Sequence, residues 1–344
     1  VAGSAIVPLV TDGDRPGLGQ LVEAARAYAD AGMADNTRRA YGADWRTFTS
    51  WCASVGASPL PAEPATIALY LTAHAPGPGD RQGLAVSTLA RHLAAIRRAH
   101  RDAGAAVPDS GPLRQVWSGI QRSHGRPPRK KRALVLGDLR RVVGKCPKTL
   151  AGARDRAILL LGFAAALRRS EVAAAVLDGP NMGQKCPKYG PNSTVRLAFV
   201  TGGLEVRLDR SKGDQLGDGA VVGVPYGKTR LCPVSAVRAW LDQARITGGP
   251  VFRGIDRHGR LGSEPLSGGA IALIVKRACE RADLDPSMFG GHSMRSGLIT
   301  EAAANDVAPD VIMRQSRHAK FDTMRGYIQG AERFKRNAAA KVGL

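Results

Sequence analysis

The stretch Gly290 to Ile328, GGHSMRSGLITEAAANDVAPDVIMRQSRHAKFDTMRGYI, decides how this chain is read. It predicts a helix over His292–Asn305 and a second over Pro309–Gln315. Within it His292-Ser293-Met294-Arg295 forms an H-x-x-R pattern, His318 follows Arg295 by 23 residues, and Tyr327 follows His318 by nine. Upstream, Ala166-Leu167-Arg168-Arg169-Ser170-Glu171 falls at a helix junction, and Arg210-Ser211-Lys212-Gly213-Asp214 in a strand-to-strand turn.

Outward from these motifs, the C-terminal part is mixed. Leu150–Leu167 reads as a long apolar helix, and Val195–Phe199, Leu204–Leu208 and Val221–Val224 as strands joined by Gly-rich turns. Pro233–Arg245, Gly269–Ala282 and Ala331–Val342 read as further helices. Helices dominate and a small sheet sits between them, an α+β order rather than βαβ repeats. Asp178–Ser193 is rich in Gly, Pro, Asn and Lys without periodicity, and is expected to be an exposed loop, either an insert or a DNA contact. Gly223-Val224-Pro225-Tyr226-Gly227-Lys228-Thr229 approaches a phosphate loop but is one residue short, and Pro233 interrupts any following helix. It is read as a hairpin exit turn, with no nucleotide hydrolysis.

The N-terminal part reads as helices. Asn36 or Thr37 is expected to cap a segment with Tyr41, Trp45, Phe48 and Cys52 on one face. Pro64 opens a short helix, Ser87 caps another that Gly104 ends, and Leu113–Gln121 forms a further one. In the Ser87 helix, Leu89, Leu93 and Ile96 cluster on one side, with Arg91 and Arg98 opposite, flanked by Arg97 and Arg101. An apolar stripe backed by an arginine stripe fits a core on one side and phosphates on the other, although a solvated face has the same pattern. Ser123 to Arg132, which includes Arg129, Lys130, Lys131 and Arg132, holds two prolines and a run of positive charge, and is read as an interdomain linker.

Composition narrows the function. The chain has 344 residues, of which 50 are Lys or Arg and 29 Asp or Glu, a net charge of +21. Such an excess calls for a polyanion, nucleic acid first. No apolar run reaches the ~18–20 residues of a membrane span. The five cysteines are scattered without any CxxC pair, so a disulfide scaffold and a zinc finger both fall away and free thiols are expected.

The ordered set Arg168, Lys212, His292-x-x-Arg295, His318 and Tyr327 resembles the tyrosine site-specific recombinase (phage integrase) family. Gly83 to Leu89 and Pro61-Ala62-Glu63-Pro64 resemble its Cre branch. The resemblance spans roughly residues 16 to 335. It implies a mainly α fold with a small antiparallel sheet, made of a helical core-binding domain (16–122) after a tail (1–15), a basic linker (123–133) and an α+β catalytic domain (134–344) ending in a docking helix (331–344). Transesterification at a phosphodiester asks for these residue types on chemical grounds as well. Two guanidiniums, Arg168 and Arg295, can clamp the nonbridging oxygens through forked donors that lysine does not copy. His292 and His318 add hydrogen bonds, and His292 can assist proton transfer. Lys212 can protonate the departing 5′ oxygen, and Glu171 can orient a neighbouring catalytic side chain. Lys185, Lys188 and Lys228 are the alternatives to Lys212, because the Glu171–Lys212 segment is longer than in the family. The family's L-R-x-S-E pattern assigns Arg168 rather than Arg169.

Of the six tyrosines, Tyr28, Tyr41 and Tyr70 sit at helical spacing where core packing is expected, Tyr189 in the irregular loop and Tyr226 in a turn. That leaves Tyr327 as nucleophile. The resemblance further implies double-stranded DNA with paired sites as partner, a dimer per site, a homotetramer working through a Holliday junction, no metal and no cofactor. It also implies a prokaryotic, cytoplasmic, nucleoid-associated setting. The rivals are type IB topoisomerase-like relaxation and a DNA-binding accessory protein.

Overall fold

The computed structural model describes residues 17–77, 83–127, 131–177, 195–209, 219–322, 324 and 326. The chain divides into two compact units, Val1–Arg129 and Lys130–Leu344.

Among its described residues the N-terminal unit holds five helices: α1 (Leu18–Ala31), α2 (Asp35–Ser54), α3 (Pro64–His74), α4 (Val86–Asp102) and α5 (Gly111–His124). The stripe along α2 buries Phe48 and Cys52 against Ile67, Tyr70 and Leu71 of α3 and Leu89, Leu93 and Ile96 of α4. Two helix starts differ from expectation. Ala34 and Ala85 are the residues before the first turns, with extended backbone and no side-chain cap, so Asn36, Thr37 and Ser87 lie inside the helices. Ser110 does cap α5, accepting from the Leu113 N–H at 3.2 Å. Tyr28 is 78% exposed rather than packed, whereas Tyr70 is fully buried.

One polar group lies deep in this core. The buried Asp44 carboxylate accepts from Arg91 Nε at 2.7 Å and Nη2 at 3.0 Å, and faces His92 Nε2 at 3.1 Å. Burial holds the His92 imidazole below its usual pKa, so the ring is neutral with its proton toward Asp44. Its Nδ1 then accepts from the Tyr70 hydroxyl at 2.6 Å. Each member is satisfied, which is the condition for keeping a carboxylate inside.

The C-terminal unit begins with α6 (Leu136–Gly144) and α7 (Leu150–Ala164). The apolar surface of α7 runs all round, so it is the central helix, buried from Ala157 to Phe163. α8 (Arg169–Ala173) leads into β1 (Ala175–Leu177), and β2 (Val195–Val200), β3 (Gly203–Leu208) and β4 (Ala220–Pro225) form an antiparallel meander. The sheet order is β4-β3-β2-β1-β5, with β5 at Gly249–Pro250. The β1–β2 pair is parallel, so the mainly antiparallel sheet is mixed at one seam. The Gly223–Thr229 stretch is the end of β4 and the turn toward α9 (Pro233–Ala244). A small hairpin, β6 (Arg253–Ile255) and β7 (Leu261–Pro265), precedes α10 (Gly268–Arg281), a 3₁₀ turn at Pro286–Met288, α11 (Ser293–Ala304) and α12 (Pro309–Ser316).

The expected helix Leu150–Leu167 stops earlier, at Ala164. The Leu167 N–H turns back to the Gly162 carbonyl at 3.1 Å, with Ala166 in the left-handed region at φ 47°. This is a Schellman-type stop, and it swings the chain so that Arg168 begins a new element. Cys52, Cys232 and Cys279 are buried free thiols and Cys146 is a half-buried one, while Cys186 and the Asp178–Ser193 loop lie outside the described residues.

Candidate active site

The end of α7 organises the site. A helix C-terminus presents carbonyls without intrahelical partners and a partial negative charge. Here cationic and amide side chains from distant segments collect them. Gln315 Nε2 donates to the Ala164 carbonyl at 2.8 Å, Arg317 Nη1 to Ala165 at 3.1 Å, and Arg295 Nη1 to Ala166 at 2.7 Å. Arg317 Nη2 also reaches the Ala166 carbonyl at 3.3 Å.

Just beyond this cap, Arg168 precedes the first turn of α8 with extended backbone, φ −71° and ψ 152°. Glu171, three residues on and buried, folds back. Its Oε2 accepts from the Arg168 backbone N–H at 2.8 Å, and its Oε1 from Arg168 Nη1 at 2.6 Å. Oε2 also accepts from Arg317 Nη2 at 2.7 Å. One carboxylate therefore fixes both the backbone and the side chain of Arg168.

Arg295 lies on α11 with 1% of its surface exposed. α11 sits close because Gly297 has no side chain. A Cβ there would come within 2.1 Å of the Leu134 carbonyl oxygen. Gly291, ahead of the helix, likewise packs on the Arg169 side chain, where a Cβ would stand 2.7 Å from Arg169 Cβ. Arg169 is thus engaged in packing beside the site.

His318 follows the end of α12. Its Nε2 lies 3.2 Å from Arg295 Nη2, and its Nδ1 lies 2.8 Å from Ser316 Oγ. Burial, then the charges of Arg295, Arg168, His292 and Arg317, push its pKa down to about 4. The neutral ring accepts at Nε2 from the guanidinium, which places its proton on Nδ1. That proton goes to Ser316 Oγ, and the hydroxyl donates onward to the Ile312 carbonyl at 2.6 Å. His292 reaches solvent, yet the surrounding protein, followed by Arg295 and Arg168, also holds its imidazole below the usual range.

The fold thus brings Arg168, Glu171, Arg295 and His318 into one bonded network and sets His292 within the field of its arginines. Lys212 and Tyr327 lie outside the described residues, as do Lys185, Lys188 and the terminal segment 331–344. Lys228 is in the turn after β4. Ser316, Arg317 and Gln315 carried no role in the sequence reading. Their only signal was adjacency to His318 in the Gln315-Ser316-Arg317-His318 run. Among the described residues no cluster of His, Cys, Asp or Glu could hold a metal, and no helix is long and apolar enough to cross a membrane.

The basic residues expected to face DNA divide into several groups. Arg91 is bound to the buried Asp44, Arg98 pairs with Asp102 at 2.6 Å, and Arg97 lies 3.8 Å from Asp109. Arg97 and Arg101 line a cavity of about 330 Å³ with Tyr41, Leu93 and Trp117. Lys131 donates to the Ser287 carbonyl at 2.5 Å, and Arg132 pairs with Asp138 at 2.9 Å, its guanidinium 5.5 Å from the Phe289 ring centre. Both are pinned to the C-terminal unit. Arg129 and Lys130 lie outside the described residues.

No family model matches the chain. Curated relatives do. An integrase/recombinase xerD homolog of Selenomonas ruminantium is 35% identical over 324 residues, covering 92% of this chain and 88% of that protein. A tyrosine recombinase of Synechococcus elongatus is 29% identical over 315 residues, covering 87% of this chain and 86% of that one. Among solved structures, the Tn1549 transposon integrase in complex with transposon right end DNA matches with a TM-score of 0.56 at 13% identity, over 93% of this chain and 98% of that one. XerH site-specific recombinase bound to palindromic difH substrate matches at 0.53 and 15% identity, over 81% and 72%.

Proposed function

The chain belongs to the tyrosine recombinase family of integrases, and from that premise we propose that Tyr327 is its nucleophile and the network at the end of α7 its phosphate clamp. The protein is an enzyme that cuts and rejoins DNA at specific sites. The Tyr327 oxygen, passing its proton to His292, bonds to the scissile phosphorus as the P–O5′ bond breaks. The product is a 3′-phosphotyrosyl link and a 5′-hydroxyl whose proton comes from Lys212. A 5′-hydroxyl of the partner strand reverses these steps, displacing the tyrosine. The phosphotyrosine conserves the energy of the phosphodiester, so the exchange runs without a nucleotide cofactor.

The single observation that carries this reading is the bonded arrangement of Arg168, Arg295 and His318 from three separate segments, with Arg168 on the Glu171 carboxylate, Arg295 on the Ala166 carbonyl at the end of α7, and His318 on Arg295. Arg168 keeps part of its fork for the substrate, since its side chain is 23% exposed. In the geometry described, His318 Nε2 is occupied by Arg295. It donates to a nonbridging oxygen when the ring takes up a proton, and an incoming phosphate favours that by offsetting the guanidinium charges. His292 stands at the open side for proton transfer.

The arginines of α4 and the basic residues from Arg129 to Arg132 would bind duplex backbone. Four protomers would assemble on paired sites, two per site, exchange strands through a Holliday junction, and link through the 331–344 segment. The setting is the prokaryotic cytoplasm and its nucleoid.

The test is Tyr327→Phe, which removes only the nucleophilic oxygen. The variant should bind DNA as the parent does and form no covalent adduct on a denaturing gel. An adduct that survives the substitution would remove Tyr327 from the mechanism.

A further inference from the structure

α12 ends in the left-handed region, at Arg317 with φ 57° and ψ 47°. Ala166, Arg245, Asp283 and Asp306 also take positive φ in this unit, so the backbone alone marks nothing. The side chain differs. Arg245 is exposed, whereas the Arg317 side chain is 8% exposed. A guanidinium is costly to bury unless its donors are met by a carboxylate and carbonyls. The two terminal nitrogens of Arg317 have these partners, Glu171 Oε2 at 2.7 Å and the carbonyls of Ala165, Ala166 and Gln315 at 3.1–3.3 Å, while its Nε is buried without one among the described residues. Two of these partners are shared. Glu171 is also the carboxylate that holds Arg168, and the Ala166 carbonyl is also the acceptor of Arg295. The next residue in sequence is His318. Being buried in these contacts, Arg317 has no open edge to offer a phosphate.

We infer that Arg317 is a positioning residue for strand transfer, tying Arg168, Arg295 and His318 into one fixed relation through Glu171 and the end of α7. The inference rests on the reading of Arg168 and Arg295 as a phosphate clamp. Without Arg317, Glu171 is held among the described residues by Arg168 alone and can pull that fork inward, away from substrate. His318 loses one neighbouring cation and the anchor of its loop. The clamp remains present but out of register, and a displacement of about 1 Å can lower a rate on the order of 10²-fold.

The experiment compares full-length Arg317→Gly, Arg317→Lys and Arg168→Ala with the parent. Glycine suits the left-handed backbone and removes the guanidinium, and lysine keeps a cation without the fork. Three readouts separate positioning from packing: affinity for the duplex recovered by sequencing DNA trapped on the parent enzyme, single-turnover adduct formation on that duplex at saturation, and the His318 titration by NMR in the free protein. For Arg317→Gly we expect affinity within about twofold of the parent, adduct formation slowed by about 10- to 100-fold, and His318 titrating at higher pH. Arg317→Lys should return the His318 titration toward the parent while restoring the rate only partly. If the glycine variant does not fold, the lysine variant decides. A parental rate at saturation with either folded variant, or a deficit confined to affinity, overturns the inference, as does an unmoved His318 titration in Arg317→Gly. Arg168→Ala separates the two levels. Its retention of parental adduct formation would overturn the clamp itself. Its loss of activity beside a fully active Arg317→Gly would overturn only the role of Arg317.

Discussion

At Arg168 the backbone and the side chain answer to the same carboxylate, and this sets what a substitution there would do. Arg168→Lys keeps the charge, but a single ammonium cannot bond Glu171 and still present a fork to phosphate. Adduct formation should fall by at least about tenfold with DNA affinity little changed, since one bidentate, charge-assisted contact is lost. Near-parental cleavage, measured in single turnover, would show the residue to be structural. His318 gives a prediction of a different kind. An unfolded histidine titrates near ~6.5, and here the folded value is about 4. Between those values the unfolded chain binds the extra proton. Stability contributed by this group is therefore present above ~6.5 and lost as pH falls toward 4. His292 and His92, also shifted downward, act in the same direction. Urea unfolding of the parent should weaken more between pH 7 and 4.5 than that of His318→Gln. Parallel pH slopes for the two proteins would contradict the buried neutral ring.

Helices place these residues, and two kinds of backbone site decide how closely the helices pack and where they stop. Gly297 lets α11 approach Leu134, whose N–H bonds the Ser293 carbonyl at 2.9 Å. Gly297→Ala would drive a methyl into backbone, which has no rotamer to yield. A loss of about 1–3 kcal/mol is expected, read as a fall in the thermal midpoint, with adduct formation reduced because α11 carries Arg295. The opposite substitution suits α9. It ends at Arg245 with φ 52° and an exposed side chain that makes no contact in the site. Arg245→Gly should raise stability by up to about 1 kcal/mol, because glycine occupies the left-handed region without the Cβ penalty. A destabilised Arg245→Gly would mean that its side chain contributes more than its backbone costs. The same stop at Ala166 shortens α7 and so frees Arg168 to begin α8.

Over the whole molecule, the +21 net charge is the property that a measurement of DNA affinity reads most directly. Each phosphate neutralised on B-DNA contributes a slope of about −0.9 in log K against log salt, so several contacts should give a steep dependence. A nearly flat one would show that the arginines are used up internally, as Arg91 partly is by Asp44. Helices α2–α5, α7 and α9–α12 and the β2–β4 meander were legible from the chain alone, and the ordered Arg168, His292, Arg295 and His318 set was legible as a candidate, whereas α1, α6 and α8 were not read from it. Period and motif spacing are local properties, and they survive translation into structure. Short elements were not legible. β1 and β5 have three and two residues, too few to carry a period, and they exist because neighbouring strands pair with them. Helix starts at Ala34 and Ala85 were missed because no side chain caps them. Tyr28 was misplaced because helical spacing shows that a face is apolar without showing that anything covers it. The sequence by itself determined which residues could do the chemistry. Only the tertiary structure decided what holds them, because the Glu171–Arg317 pair joins positions 146 apart and the carbonyls at the end of α7 have no side-chain identity to read.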